Sequence, residues 1–568
     1  MEEVVGSIPT RSTKISLHVP RLHPAQRKLR NARPVLVDYH ESGGAVKAEE
    51  TSDRRGAEPE PATVPGCFSP VASDASHKRS QMWLRLAACV GLTSFFLSLT
   101  AFNLVDIDIW HQMALIRESF HAGHLLTRDI FAYTPTVYPS IHHEWGAGLV
   151  AYTLTRWCGS NAILIVKYLI ALLIGLVSLC CAESIGADAQ VWAVLCPISI
   201  YLSRFGFLSV VRAQAYSFLF AACCFWLFEQ DRRGNRRWLI AWLCIFPVWV
   251  NLHGGFVVGI GLLALYALER ALYRQPVRHL LFLLAGTVVE VFINPFGPAL
   301  ASYVVRALAM SRPHIHEWRP VWVYGFWWTT VFLAAIAIAA YAVVKIRVRC
   351  APGLLMVIAA AIQATLHCKL MPLFAIAWIS HVPAYIQRTP VGQFIARFTQ
   401  RRFAFVLSAW LLVTTIYLAD AVRWQFWRLR VPQIATTYAY PVGAVQYLRE
   451  QRFVGNLMVP FTQGAYVSWK LFPAVKVSVD SRYEVAYSDA LVDRAFRFYA
   501  AEPGWEETLR AYPTDLVLVP RIMPVAKVIP QSGWSKVYED REFEVYARPG
   551  LSLPFCDRTS ESFTGVFP

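Results

Sequence analysis

Between residues 82 and 420 the chain is a succession of long apolar runs separated by short polar stretches. A run of that kind, repeated over more than three hundred positions, leaves few folding options. Its backbone can be satisfied away from water only within helices, and its side chains want lipid or other helices around them. Crossings are predicted near 83–103, 161–182, 191–208, 213–228, 238–250, 254–269, 279–293, 329–344, 353–366, 371–386 and 403–420. That is about eleven, several shorter than the roughly 20 residues a straight span requires. Composition agrees: 55% of residues are hydrophobic and 16% charged, against about 25% charged in ordinary soluble domains.

The flanks differ from this middle. Residues 1–80 are polar, rich in Pro, Arg, Ser and Glu, without sustained period, and read as a disordered cytoplasmic tail. No apolar run in the first 30 residues has the form of a signal peptide. Residues 421–568 contain VGNLMVP, VKVSVD and DLVLVP, which read as short buried strands. GAVQYLRE and 488–501 read as helices, and WSKVYEDREFEVYAR as a hairpin turning at Asp540-Arg541. The expected architecture is therefore an α-helical polytopic membrane protein, residues 81–420, followed by an α/β domain at 421–568.

The net charge of +16 is best read through its placement. If the tail is inside, four of five inside loops carry Arg232, Arg233, Arg236 and Arg237, then Arg270, Arg274 and Arg278, then Lys345, Arg347 and Arg349, then Arg388, Arg397, Arg401 and Arg402, while 183–190 has neither Lys nor Arg. This is the positive-inside pattern, so the excess charge points to a membrane and not to nucleic acid. It places the first loop, 104–160, and the C-terminal domain outside. Most of the twelve cysteines lie within apolar runs, and none has CxxC spacing, so a structural zinc site is not indicated.

The unusual polar residues gather on that outer side: Asp106, Asp108, His111, Asp129, His142-His143-Glu144, Arg212, Asn251, His253, His314, Glu317 and Lys369. There is no GxxxxGK[ST], and no inside loop has room for a nucleotide-binding domain, so the chain alone is not an ATP-driven pump. A donor delivered to the outer leaflet, such as a lipid-linked one, fits the placement. In extended backbone Asp106 and Asp108 would point to one side, where they could hold a divalent cation or serve as base and partner. The same two acids also read as a solvated loop. His143 and Glu144 are further metal candidates, or an interfacial cluster anchored by Trp145. Arg212 could meet a phosphate or a loop carboxylate, or snorkel. Asn251 to Gly255 could admit a ligand to the backbone, or pack helices tightly. Glu290, inside an apolar run, is a site candidate by its placement.

The order of these segments resembles the GT-C superfamily of polytopic glycosyltransferases, and within it a bacterial branch with D-x-W-W-H, D-x-F-S-Y-T and H-E-W-L in the first outer loop. The matching strings here are Asp108-Ile109-Trp110-His111, Asp129-Ile130-Phe131-Ala132-Tyr133-Thr134 and His143-Glu144-Trp145. One tryptophan of the first string is absent. Further matches are Arg212-Ala213-Gln214, Trp249 to Gly255, Asn294-Pro295-Phe296-Gly297, Glu317-Trp318, Gly464 to Trp469 and Asp480-Ser481-Arg482. The resemblance implies a glycosyltransferase using a polyprenyl-phosphate-linked sugar at the outer face of a bacterial cytoplasmic membrane. It implies catalysis by Asp106 or Asp108, and substrate contacts from His111, Asp129, His143, Glu144, Arg212, Asn251, His253 and Lys369. The acceptor would be a glycan, lipid or protein, and a divalent cation is a possible cofactor. The alternative is a non-catalytic transporter or assembly component for lipid-linked glycans.

Overall fold

The computed structural model describes residues 91–93, 95–97, 103–310, 312, 315–398, 410, 427–431 and 439–568. The expected tail and the crossings at 83–103 and 403–420 fall almost wholly outside the described residues. After the short strand β1 (Leu104–Val105) come two helices of the first loop, α1 (Ile107–Ala122) and α2 (Trp145–Cys158). The apolar runs then form α3 (Ala162–Ile185), α4 (Ala189–Ser203), α5 (Gln214–Arg232), α6 (Trp238–Leu252), α7 (Phe256–Leu272) and α8 (Arg278–Glu290). A short strand β2 (Val210–Val211) precedes α5.

Next comes α9 (Pro298–Ala309), which was not expected. Its Leu300 and Tyr303 are buried while Val305 and Leu308 are exposed. Then come α10 (Phe326–Ile346), α11 (Leu354–Leu366) and α12 (Met371–Gln387), and residues 390–398 are helical as well.

Among the described residues four stretches, 162–185, 189–208, 326–346 and 368–387, are long and apolar enough to cross a membrane. On α3, Ile165, Leu169, Leu172 and Leu176 are exposed. At helical spacing these four form one stripe, and in a chain of this composition lipid is what covers it. The protein is a membrane protein. By contrast α12 is buried from Met371 to Ile386 and packs against α3, α4, α5, α10 and α11. Ala375, Ala377, Ser380 and Ala384 keep it slim enough for neighbours to approach from all sides.

The basic ends expected to face inward hold more than arginines. Asp231 is buried and accepts from Trp238 Nε1 (2.9 Å) and Tyr266 Oη (2.7 Å), with His279 Nε2 at 3.1 Å and Arg236 also bound. Arg232 bonds Glu269 at 2.6 Å. The acids are carried on the helices that the arginines cap, so the sequence separated partners that the fold joins.

The C-terminal segment forms α13 (Val442–Glu450), β3 (Gly455–Met458), α14 (Gly464–Leu471), β4 (Val475–Val477), α15 (Tyr483–Ala486), α16 (Asp489–Tyr499), β5 (Leu516–Pro520), β6 (Ser535–Glu539), β7 (Phe543–Ala547) and β8 (Cys556–Asp557), with short helical turns between. The sheet order is β4-β3-β5-β7-β6-β8. β3 lies parallel to both β4 and β5, while β7 runs antiparallel to β5 and β6. The predicted strands and hairpin are found. The Gly464–Trp469 string lies in a helix, whose first glycine admits the carbonyl of Val479 where a Cβ would sit 2.0 Å from it.

The first loop is stitched to this sheet. Tyr133 N donates to Val477 O and Val477 N to Phe131 O, both at 3.0 Å. Trp110 of α1 packs edge-on against Tyr466 of α14, centroids 5.0 Å apart. Beneath this seam the buried Arg482 binds Asp480 (2.7 Å) and Asp129, over the ring of Phe131. Removing that cation strands two buried carboxylates. Arg482→Leu is expected to destabilise the protein by about 3–5 kcal/mol, measured by denaturant unfolding in detergent. An unchanged midpoint would show that the seam does not depend on it.

Candidate functional site

The site starts from two residue pairs. β1 and β2 are parallel, with Leu104 opposite Val210 and Val105 opposite Val211. One step further along, the same register sets Asp106 beside Arg212, and Arg212 Nε lies 3.3 Å from Asp106 Oδ2. Leu104 N donates to Ser209 O at 3.0 Å, and Val105 N to Arg430 O at 3.0 Å. From behind, the buried Lys167 of α3 donates to Asn103 Oδ1 (2.5 Å) and Leu208 O (2.6 Å), fixing both chain segments. The turn leading into β2, Arg204–Leu208, contains Gly206 at φ 65°, a left-handed conformation that favours glycine.

Asp106 is the N-cap of α1, its Oδ1 accepting from Asp108 N at 2.9 Å. Asp108 therefore sits in the first helical turn and not in extended chain, which corrects the expected same-side pairing. The two acids differ in consequence. The side chain of Asp106 is 1% exposed, with both oxygens engaged. That of Asp108 is 30% exposed, with His111 Nδ1 at 4.0 Å. Burial pushes Asp106 up to about 7 against the pull of Arg212. Burial, reinforced by Glu144, pushes Asp108 up to about 6.

Arg212 also reaches Glu317, with Nη1 to Oε2 at 2.8 Å and Nη2 to Oε1 at 3.3 Å. Lys369 Nζ meets Glu317 Oε1 at 2.6 Å. Burial opposes ionisation of Glu317, but these two cations hold its carboxyl below the usual range. Arg212 is thus committed to two carboxylates. Its guanidinium is a strut between β1 and the Glu317 turn.

A second hydrogen-bonded chain crosses four helices. Trp249 Nε1 donates to Ser217 Oγ at 2.7 Å. Ser217 Oγ lies 2.7 Å from His253 Nδ1, which also accepts from Gly255 N at 2.8 Å. With Trp249 donating to the serine, the hydroxyl proton points at Nδ1. Two donors on Nδ1 place the ring proton of neutral His253 on Nε2, which lies 3.0 Å from Glu144 Oε1. Gln112 Nε2 donates to Glu144 Oε2, and His143 Nε2 stands 3.6 Å from Oε1. Against burial, His253 and His143 keep the Glu144 carboxyl well below its usual range. A Cβ on Gly255 would come within 2.4 Å of Ser217 Oγ, and one on Gly254 within 2.6 Å of His143. The two glycines are there to let these rings approach the backbone.

These groups line one cavity of about 2080 Å³. Its floor carries Asp106, Asp108, His111, His143, Glu144, Arg212, His253, Glu317 and Lys369. One arm runs between helices along Val258, Leu262, Leu265, Met356, Ala360 and Leu373. Another wall comes from the carboxyl ends of the parallel strands, with Phe461, Gln463, Ser481 and Met523. Two predicted residues do not line it. Asp129 is bound to Arg482. Asn251 accepts from Trp145 Nε1 (3.1 Å) and donates to Pro247 O and Ile293 O, both 2.8 Å; both residues hold structure. Glu290 is buried at the end of α8, away from the cavity lining. Sequence reasoning gave Ser217 and Gln112 no role, because a lone polar residue in an apolar run has no pattern.

Among the described residues no group of three or more side chains that could hold a metal ion converges. The oxygens of Asp106 face Arg212 and a backbone amide, and those of Glu144 face Gln112 and His253. Asp108 and His143, the other two candidate ligands, line the same cavity.

No family model matches the sequence, and no curated protein matches it. Solved structures do match. Archaeal oligosaccharyltransferase AglB from Archaeoglobus fulgidus, solved with an inhibitory peptide and a dolichol-phosphate, is 13% identical, with 85% of this chain and 75% of that chain covered at a TM-score of 0.51. The fold is GT-C-like. Other matches to this GT-C-like chain are ArnT from Cupriavidus metallidurans (15% identity, 83% and 98% covered, TM-score 0.48) and arabinofuranosyltransferase AftD from Mycobacteria (15% identity, 82% and 40%, TM-score 0.49).

The Arg212 strut has a measurable consequence. Arg212→Gln leaves Asp106 and Glu317 without their shared cation, an expected loss of about 3–5 kcal/mol. Adding Asp106→Asn should recover part of it, because an amide needs no counter-charge. A double-mutant cycle on unfolding midpoints reads this, and strict additivity would refute the coupling.

Proposed function

We propose that this protein is a glycosyltransferase of the membrane, taking a sugar from a polyprenyl-phosphate donor and passing it to an envelope acceptor at the outer face of a bacterial cytoplasmic membrane. The observation that carries this reading is the junction in the cavity. An apolar arm between helices meets the half-buried Asp108, and basic groups line the same cavity. A lipid tail suits the arm, a phosphate suits the basic groups, and the sugar between them comes next to Asp108. The dolichol-phosphate held by the AglB structure is consistent with a lipid phosphate in a fold of this kind.

Asp108 is the base in this reading. Its environment and that of Glu144 push two neighbouring carboxyls in opposite directions, which is how acid–base roles are separated at one site. The acceptor hydroxyl gives its proton to Asp108 while its oxygen attacks the anomeric carbon. The carbon–oxygen bond to the phosphate breaks, and the phosphate leaves with the electron pair, facing the ammonium of Lys369. Asp106 stays capped and paired and holds α1 in place. Glu144 remains an ionised acceptor, suited to a sugar hydroxyl. The wall at the carboxyl ends of β3, β4 and β5 is the acceptor side, as crevices at such strand ends commonly bind ligands.

Asp108→Asn should lower sugar transfer by about 10²–10⁴ with the protein still folded, and Asp106→Asn should act more through stability. Because the base must be ionised, activity should rise with pH through about 6 and level off above. The assay is transfer from a lipid-linked donor by purified variants in nanodiscs, with thermal unfolding in parallel. Full activity in Asp108→Asn, or an acid limb unmoved by that change, would end the assignment.

A further inference from the structure

The cavity's basic residues divide into two sets. Arg212 is bound to Asp106 and Glu317, Lys369 to Glu317, Arg312 to Glu484 and Arg482 to Asp129 and Asp480. Each of these charges is already met by an acid of the protein. Arg204 and Arg319 also line the cavity, and among the described residues neither guanidinium has an ion pair or hydrogen bond with a side chain. Arg204 is half-buried and Arg319 exposed, so each presents an uncommitted guanidinium at the cavity to an anion that enters it.

The fold brings these two residues to one place. Arg204 begins the turn 204–208, which packs on the turn Cys368–Leu370 that carries Lys369. That turn in turn packs on His316–Trp318, and Cys368 N donates to Arg319 O at 3.0 Å. Phe205 contacts Tyr324 with centroids 4.7 Å apart and Trp328 at 5.6 Å. All three rings line the same cavity. His367 Nδ1 to Trp318 O (2.9 Å) closes the cluster from the other side.

We infer that Arg204 and Arg319 form the subsite for the phosphate of an isoprenoid lipid, and that Arg212 does not bind it. This rests on reading the cavity as one that takes a lipid-linked phosphate, and it moves the anion from the arginine singled out by its motif to two that no motif marked. Arginine forks match phosphate oxygens in pairs. Placing them at the rim of the arm fixes the phosphate there, with the tail on one side and the sugar on the other.

The test uses the full chain in phosphatidylcholine nanodiscs, with binding followed by native mass spectrometry. The probes are a polyprenyl monophosphate, the polyprenol of the same length, inorganic phosphate and phosphatidylglycerol. Arg204→Gln and Arg319→Gln should each weaken the polyprenyl phosphate about tenfold and leave the polyprenol unchanged. Their unfolding midpoints should stay at the wild-type value, because no acid is stranded, whereas Arg212→Gln should lower its own. Lysine at either position should restore most of the binding. Unchanged phosphate affinity in the double variant overturns the subsite, as does equal loss of phosphate and polyprenol. Inorganic phosphate or phosphatidylglycerol binding as tightly as the polyprenyl phosphate overturns the isoprenoid source. Arginine-dependent binding without any sugar transfer would support the subsite while defeating the proposed function.

Discussion

The site depends on one short pairing. Two residues of β1 lie parallel to two of β2, and that register alone puts Asp106 next to Arg212 across about a hundred positions of sequence. A one-residue slip would turn each side chain to the other face and separate the ion pair. So small a ladder cannot hold itself. It is held by Lys167 behind it, by the Arg430 backbone on its free edge and by Tyr440 Oη, which donates to Val105 O at 2.8 Å. The helix that bears Asp108 grows directly from this anchor, so the position of the acid is inherited from the strand pair.

From that anchor the charges spread in an ordered way. Arg212 joins Asp106 to Glu317, and Glu317 joins Arg212 to Lys369. Parallel to it, the chain from Trp249 to Glu144 ties α5, α6 and the first loop together. In a poorly solvated cavity such interactions are strong, and unpaired members are costly. Most charged groups there are consequently paired. Among the described residues Arg204 and Arg319 have no such partner, and Asp108 has only the longer contact to His111 at 4.0 Å as its ion pair.

The seam between the first loop and the C-terminal sheet serves the same frame. Backbone bonds from Phe131 and Tyr133 to Val477, together with buried Arg482, press the loop against the strand ends. Ser481, the middle residue of the Asp-Ser-Arg string, is thereby carried to His111, with Oγ 3.3 Å from Nδ1. The flanking Asp480 and Arg482 hold the joint while Ser481 meets the cavity.

The sequence by itself determined the membrane character, the positions of the apolar helices from 161 to 386 other than α9, and the strands and hairpin of the C-terminal segment. Those follow from composition and local period, which each segment carries alone. It also marked Asp106, Asp108, Glu144, His253 and Lys369 as exceptional, because charge and imidazole are scarce beside apolar runs. Tertiary structure decided what each of them does. Whether Asp129 faced substrate or Arg482, whether Asn251 met a ligand or Trp145, and which arginines were left without an acid all depended on partners tens to hundreds of residues away. Ion pairs and hydrogen bonds act over a few ångströms, and the chain order does not say which groups will come that close.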